Sequence, residues 1–174
     1  MQNIEIKTPL PDRARVGERL EALGARLAWR REQRDTFFRV PAGYLKLREV
    51  REREGELIAY TRAPGSEPRP SDYDIAPVPE PDTLRRALTR SLGVRGVVEK
   101  TRTLYLWKHT RIHLDTVRGL GEFLELEAVA KAISLDEARE EADTVIAALE
   151  LDAERFLDRP YLELLEGRGG TGAR

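Results

Sequence analysis

The feature that most narrows what this chain can fold into is a repeated alternation of charged and aliphatic residues, with both signs of charge on the same side. Successive residues of a strand point to opposite faces, so in Gly121–Glu127 the side chains of Glu125 and Glu127 share one face, and Leu124 and Leu126 the other. Val98–Arg102 brings Lys100 and Arg102 together, and Arg111–Asp115 groups Arg111, His113 and Asp115 opposite Ile112 and Leu114. A single strand of this kind is an ordinary half-exposed strand with its charges in water. Here the pattern returns in Asn3–Lys7, with Glu5 and Lys7 against Ile4 and Ile6, in Tyr44–Arg48, with Lys46 and Arg48 together, and in Glu56–Ala63, with Ile58, Tyr60 and Arg62 on one side.

Punctuation sets the architecture. Asp12 stands where a helix N-cap belongs, followed by Val16, Leu20 and Leu23 at helical spacing and by Gly24 as a stop. A second helix runs from Asp82 through Leu84, Leu88 and Leu92 to Gly93; Ser134 and Glu137 form a capping box for a third, ending near Leu149; Tyr161–Leu165 suggests a short fourth. Between them lie about eight strands, with Arg26–Glu32 and Arg34–Val40 counted separately and Ser71–Val78 as another. Pro64–Pro70 reads as a mobile loop. Short connections favour antiparallel pairing, and eight strands suffice to close a barrel. The expected fold is therefore α+β, an eight-stranded antiparallel barrel with flanking helices, formed by one domain over residues 1–166 with a disordered tail over 167–174. Helices need apolar partners, so the aliphatic faces point out to them and the charged faces point inward. The interior becomes a polar tunnel.

Composition excludes several alternatives. A net charge of -1 argues against a nucleic-acid-coating protein, and the absence of cysteine removes a disulfide scaffold, a thiolate zinc site and a thiol nucleophile. No apolar run reaches membrane-spanning length and the first residues lack a signal-peptide core, so a cytoplasmic protein with no membrane partner is expected.

Cations and carboxylates inside one tunnel cannot be buried without partners, because an unpaired ion in a low-dielectric site forfeits several kcal/mol of hydration. Lys7, Lys46, Arg48, Arg62, Lys100, Arg102 and Arg111 suit a polyphosphate, Arg as a planar fork and Lys as a point charge. Glu5, Asp115, Glu125 and Glu127 would repel that anion unless a hard divalent cation such as Mg²⁺ or Mn²⁺ lay between them.

Taken in order, Glu5-Ile6-Lys7, Asp35-Thr36-Phe37-Phe38, Leu47-Arg48, Tyr60-Thr61-Arg62, Val98-Glu99-Lys100-Thr101-Arg102, Asp115 and Gly119–Glu127 resemble the CYTH domain of the triphosphate tunnel metalloenzymes. The spacing is most similar to the class IV adenylate cyclases, with thiamine triphosphatase-like relatives next. This resemblance, which spans Asn3 to about Leu165, implies an Mg²⁺- or Mn²⁺-dependent enzyme acting on a triphosphate such as ATP or tripolyphosphate. By position, Glu5, Glu125 and Glu127 would be metal ligands and Asp115 would lie close to the metal or the basic side chains. Lys7, Arg48, Arg62, Lys100 and Arg102 would hold phosphates; strand phase alone adds Lys46 and Arg111. The catalytic group is then Glu5, Lys7, Asp115, Glu125 and Glu127. The implied reaction is cyclisation of ATP to cyclic AMP and pyrophosphate. The alternatives are hydrolysis of inorganic, thiamine or nucleoside triphosphate, and triphosphate binding with little catalysis. A homodimer is implied only through the cyclases.

Two departures accompany the resemblance. Asn3 stands where the family has the first glutamate of Glu-x-Glu-x-Lys, which weakens any second cation, and Arg62 stands where relatives often carry lysine. Of the remaining singular residues, His113 is expected to make a structural hydrogen bond, with proton carriage as the alternative. His109 belongs in a turn. Trp29 and Trp107 are expected to pack beneath helices, with ring stacking on a ligand as the alternative.

Overall fold

The computed structural model describes residues 3–50, 54–61, 69–70 and 72–169. Strands β1 (Asn3–Pro9), β2 (Arg26–Phe38), β3 (Tyr44–Val50), β4 (Glu54–Thr61), β5 (Arg69–Pro70), β6 (Asp72–Val78), β7 (Val94–Trp107), β8 (Thr110–Val117) and β9 (Gly121–Val129) form one sheet. Its order is β5-β1-β9-β8-β7-β2-β3-β4-β6, antiparallel throughout. β5 is only two residues long and one residue from β6. It pairs with β1 while β6 pairs with β4, so this one segment touches both ends of the remaining strand order and curls the sheet round on itself. Eight antiparallel strands and a two-residue bridge therefore surround a central tunnel.

Four helices flank it: α1 (Arg13–Ala22), α2 (Pro81–Leu92), α3 (Leu135–Leu149) and α4 (Tyr161–Gly169). Asp12 caps α1 by accepting from the Ala14 and Arg15 amides, and Ser134 and Glu137 close the capping box of α3. The main core lies outside the barrel. Ile4, Ile6, Ile112, Leu114, Leu124 and Leu126 of β1, β8 and β9 pack against Val16 and Leu20 of α1 and Ala138, Ala142, Val145 and Leu149 of α3. Each of these strand residues alternates with a tunnel-facing charge, which is the inverted arrangement the alternation demands. No helix among the described residues is long and apolar enough to cross a membrane.

α4 packs across one end of the barrel. Tyr161 and Leu162 join Phe37, Val98, Val117, Leu120 and Phe123 in a second core, and Tyr161 meets Phe123 edge-on at 5.1 Å between ring centres. The approach is close enough to require Gly96, where a Cβ would stand 2.5 Å from Leu162 Cδ1.

Three expectations change. Arg26–Phe38 is one strand, not two: Gln33 continues the ladder opposite Lys100, so no turn separates Glu32 from Arg34. Its register with β7 shifts twice: between the pairs Leu27–Tyr105 and Trp29–Leu104, where a residue of β2 opposes none, and between Phe37–Gly96 and Phe38–Val94, where a residue of β7 opposes none. The stretch from Gly167 is helical as far as Gly169, and 170–174 lie outside the described residues. Arg62 and the loop residues 64–68 also lie outside them, whereas Arg69 and Pro70 are strand.

Candidate functional site

Alternate residues of every long strand face one cavity of about 520 Å³. Adjacent strands align them in rows across the sheet. One row reads Lys7, Glu125, His113, Leu104 and Trp29; the next reads Glu5, Glu127, Arg111 and Leu106. The cavity has an enclosed end and an open end. Lys100 is 2% exposed near Tyr161, while Arg111 at the far end is 47% exposed.

The enclosed end is organised by Asp35, a residue that strand phase on a split β2 did not single out. Its carboxylate receives two hydrogen bonds from Arg48, at 2.8 and 3.0 Å, and one each from Lys46 and Lys100 at 3.1 Å. Burial opposes ionisation of Asp35, yet Arg48, Lys100 and Lys46 together hold the carboxyl well below its usual range. Conversely, burial pushes the Lys46 ammonium down to about 7 despite Asp35, and lowers Lys100 as well. Even with Glu56, which faces Arg48 across the β3–β4 pair, cations outnumber carboxylates here. Such a cluster can take up an anion.

A second cluster is balanced. Arg102 forks onto Asp115 at 2.7 and 2.6 Å and also bonds Glu125, whose other oxygen lies 3.0 Å from Lys7. Burial disfavours the Glu125 carboxylate, but Lys7 and Arg102 pull its pKa well down. Asp115 is fully enclosed and does not line the cavity; it accepts from Arg102 and from the Tyr161 hydroxyl at 2.9 Å. Of the two environments expected for Asp115, it occupies the one among basic side chains. The Tyr161 ring also faces Lys7 at 4.4 Å and Lys100 at 5.7 Å, so α4 touches three members of the site.

At the open end, Glu5 and Glu127 stand directly opposite each other in the β1–β9 register. Like charges so placed repel unless a cation intervenes. Glu127 lies 3.5 Å from His113 Nε2 and 3.9 Å from Arg111. Burial alone would raise its pKa, but attraction to His113 brings it to about 2. His113 is 5% exposed, and neither ring nitrogen has a hydrogen-bond partner among the described residues; nor has the buried Asn3 Oδ1, two positions from Glu5.

No three His, Asp or Glu side chains among the described residues stand at the spacing of a complete metal site. The donor set nevertheless fits one hard cation completed from outside. Two carboxylates face each other across a strand pair, and unpartnered donors sit beside them. Ions of this kind are commonly held by one or two carboxylates plus phosphate oxygens and water.

The structure thus brings Glu5, Lys7, Lys46, Arg48, Lys100, Arg102, Arg111, Glu125 and Glu127 to one cavity, with Asp115 behind Arg102. It adds Asp35 and Tyr161. Asp35 carried a signal, being in phase with Arg31 and Gln33; Tyr161 carried none, since only the docking of α4 places it. Among the described residues His113 makes no hydrogen bond of good geometry, its nearest partner being Glu127 Oε2 at 3.5 Å. Trp29 also departs from expectation. It lines the tunnel with Arg31 5.1 Å from its ring, because it alternates in phase with Arg31, Gln33 and Asp35 along the unbroken part of β2. Trp107 packs against the outer core and His109 lies in the β7–β8 turn, both as expected.

The CYTH domain family matches residues 1–165. A Methanocaldococcus jannaschii protein named "Putative adenylate cyclase" is 26% identical over 172 residues, covering 94% of this chain and 98% of the relative. A solved protein of Pyrococcus horikoshii superposes with a TM-score of 0.84 at 23% identity, covering 95% of this chain and 99% of that one. A Hippeastrum structure, described as a "putative adenylyl cyclase" with a dominant triphosphatase activity, gives 0.68 at 15% identity over 97% and 96% of the two chains.

Proposed function

The chain belongs to the CYTH domain family, and on that premise we propose that its tunnel binds a nucleoside triphosphate with Mg²⁺ or Mn²⁺ and converts ATP to cyclic AMP and pyrophosphate. The observation that carries this reading is the polarity of the tunnel. Surplus cations gather around Asp35 at the end packed by α4, and the facing pair Glu5 and Glu127 lies toward the open end. A triphosphate entering terminal phosphate first reaches Lys46, Arg48 and Lys100 with its β- and γ-groups. Its α-phosphorus then lies nearest the carboxylates. The ribose stays toward Leu104, Leu106 and Trp29, the apolar side chains of the two rows that carry Glu125 and Glu127.

Each residue then has a task. Lys46, Arg48 and Lys100 neutralise the pyrophosphate as its bond to the α-phosphorus breaks. Arg102, fixed by Asp115, presents a rigid guanidinium to the bridging region, and Lys7, held by Glu125, presents its ammonium from β1. Glu5 and Glu127 would hold the divalent cation, which when bound supplies Lewis acidity toward phosphoryl oxygen and lowers the pKa of an attacking hydroxyl. Burial beneath α4 excludes water from the terminal phosphate, which favours attack by the ribose 3′-oxygen over hydrolysis.

A second reading is hydrolysis of inorganic, thiamine or nucleoside triphosphate. It is supported by the activity recorded for the Hippeastrum protein, since the same cations would serve a water attacking the terminal phosphorus. Incubating the purified protein with ATP, tripolyphosphate or thiamine triphosphate, each with Mg²⁺ or Mn²⁺, separates the readings by product. Cyclic AMP and pyrophosphate support the first and orthophosphate the second. Tight binding without turnover would reject both.

A further inference from the structure

One strand lines the tunnel from its enclosed end toward its open one. Asp35, Gln33, Arg31 and Trp29 alternate along the inner face of β2; the first two are buried, whereas Arg31 is exposed and Trp29 half-buried. At a rise of about 3.4 Å per residue, Trp29 stands about 20 Å along the strand from Asp35. Three phosphoryl groups held by the Asp35 cluster end well short of the indole. Only a ligand with a further group attached reaches it.

The lining indicates what that group is. Gln33 is 7% exposed, and its Oε1 has no hydrogen-bond partner among the described residues. A buried acceptor in that state calls for a donor. Ionised tripolyphosphate has only acceptors to offer, whereas a ribose carries hydroxyls. Beyond Gln33 the lining turns apolar. Leu104, 7% exposed, lies directly opposite Trp29 on β7, and Leu106 continues the same face. Arg31 stands over the indole 5.1 Å from its centre, farther than the 3.5–4.0 Å or so at which carbon atoms touch, so its cation does not seal the ring. An indole flanked by leucines suits a flat, uncharged ring, and every nucleobase has a π-face to stack. A cationic ring such as the thiazolium of thiamine would meet Arg31 with like charge.

We propose that Trp29 binds the base of a nucleoside triphosphate by stacking, and so separates nucleotides from tripolyphosphate and from thiamine triphosphate. The inference deepens the nucleotide reading of the tunnel and rests on it. The phosphate cluster grips any triphosphate alike; the discrimination comes from the far end of the same strand.

The chain has two tryptophans, and Trp107 packs against the outer core, so in Trp107→Phe the indole emission comes from Trp29 alone. That emission, excited beyond the absorption of adenine, is followed as the α,β-methylene analogue of ATP, tripolyphosphate or thiamine triphosphate is added with Mg²⁺. Titration calorimetry on the parent, Trp107→Phe, Trp29→Phe and Trp29→Ala gives the affinities. We expect the nucleotide analogue to quench Trp29 far more than tripolyphosphate does. Relative to tripolyphosphate, Trp29→Ala should weaken the analogue at least about fivefold, and Trp29→Phe should recover most of the loss. Thiamine triphosphate should bind the parent no more tightly than tripolyphosphate. Should Trp107→Phe bind the analogue with the emission change that tripolyphosphate gives, the proposal is overturned with no variant at Trp29 required to fold. A parent that prefers thiamine triphosphate, or a Trp29→Ala protein in which the analogue and tripolyphosphate weaken equally, also overturns it while leaving a triphosphate tunnel standing. If the parent binds none of the three, both readings fall.

Discussion

Replacing Asp35 with Asn keeps the side-chain shape and removes the charge that three cations share. In the parent, Arg48 donates two bonds to this carboxylate and Lys46 and Lys100 one each, with Asp35 2% exposed. Breaking a buried ion pair by deleting one partner costs about 3–5 kcal/mol, because the other charge stays desolvated. In a domain of this size each kcal/mol lowers Tm by about 2–4 °C, so the ligand-free variant should melt about 6–20 °C below the parent. The loss should be larger at pH 6 than at pH 9, since Lys46, already near 7 in the parent, sheds its proton more readily at the higher pH. Tripolyphosphate should do the opposite. With their carboxylate gone, the three cations are free for phosphate oxygens, so the ligand-induced rise in Tm should exceed that of the parent. Scanning calorimetry with and without tripolyphosphate measures both quantities. An Asp35→Asn protein with the parent's Tm, or one that is destabilised and gains nothing from tripolyphosphate, would refute the reasoning that Asp35 stands in for a bound anion.

Three further outcomes follow from the same geometry. Near pH 8 Lys46, with a pKa of about 7, is mostly neutral in the free protein. Anion binding recharges it, so titration calorimetry in two buffers of different ionisation enthalpy should register proton uptake on tripolyphosphate binding. Affinity should also fall as pH rises from 7 to 9 more steeply than in Lys46→Arg, and equal slopes would contradict the assignment. Tyr161→Phe removes one bond to the buried Asp115 carboxylate while Arg102 keeps two, for a loss of about 1.5–3 kcal/mol in chemical denaturation. Gly96→Ala places a methyl 2.5 Å from Leu162 Cδ1 in a packed interface, so the Leu162 side chain, or α4 with it, must shift at a cost of about 1–3 kcal/mol. Protection of α4 amides in hydrogen exchange should fall with it.

The barrel was legible because its strands carry a period of two with the chemistry inverted. Ile112 and Leu114 must meet helices, which leaves Arg111 and His113 nowhere but inside. Helix ends were legible for local reasons, since Asp12 and Ser134 bond amides within three residues of themselves. Trp29 was misplaced because an aromatic ring suits either face of a strand, and only its alternation with Arg31, Gln33 and Asp35 in one continuous β2 puts it inside. The partition of charges was also hidden. Phase puts Lys7, Arg102 and Glu125 on the inner face, but only their side-chain contacts show that they compensate one another while Lys46, Arg48 and Lys100 converge on Asp35.

The amino-acid order by itself determined which side chains face inward and which helices cover the outside, because strand alternation and capping act over a few residues. What tertiary structure alone decided is which charge meets which, that α4 brings Tyr161 across one end of the tunnel, and that the buried His113 lies 3.5 Å from Glu127. Coulomb energy and hydrogen bonding depend on separations between strands far apart in the chain, and those are fixed only when the sheet has curled and its registers are set.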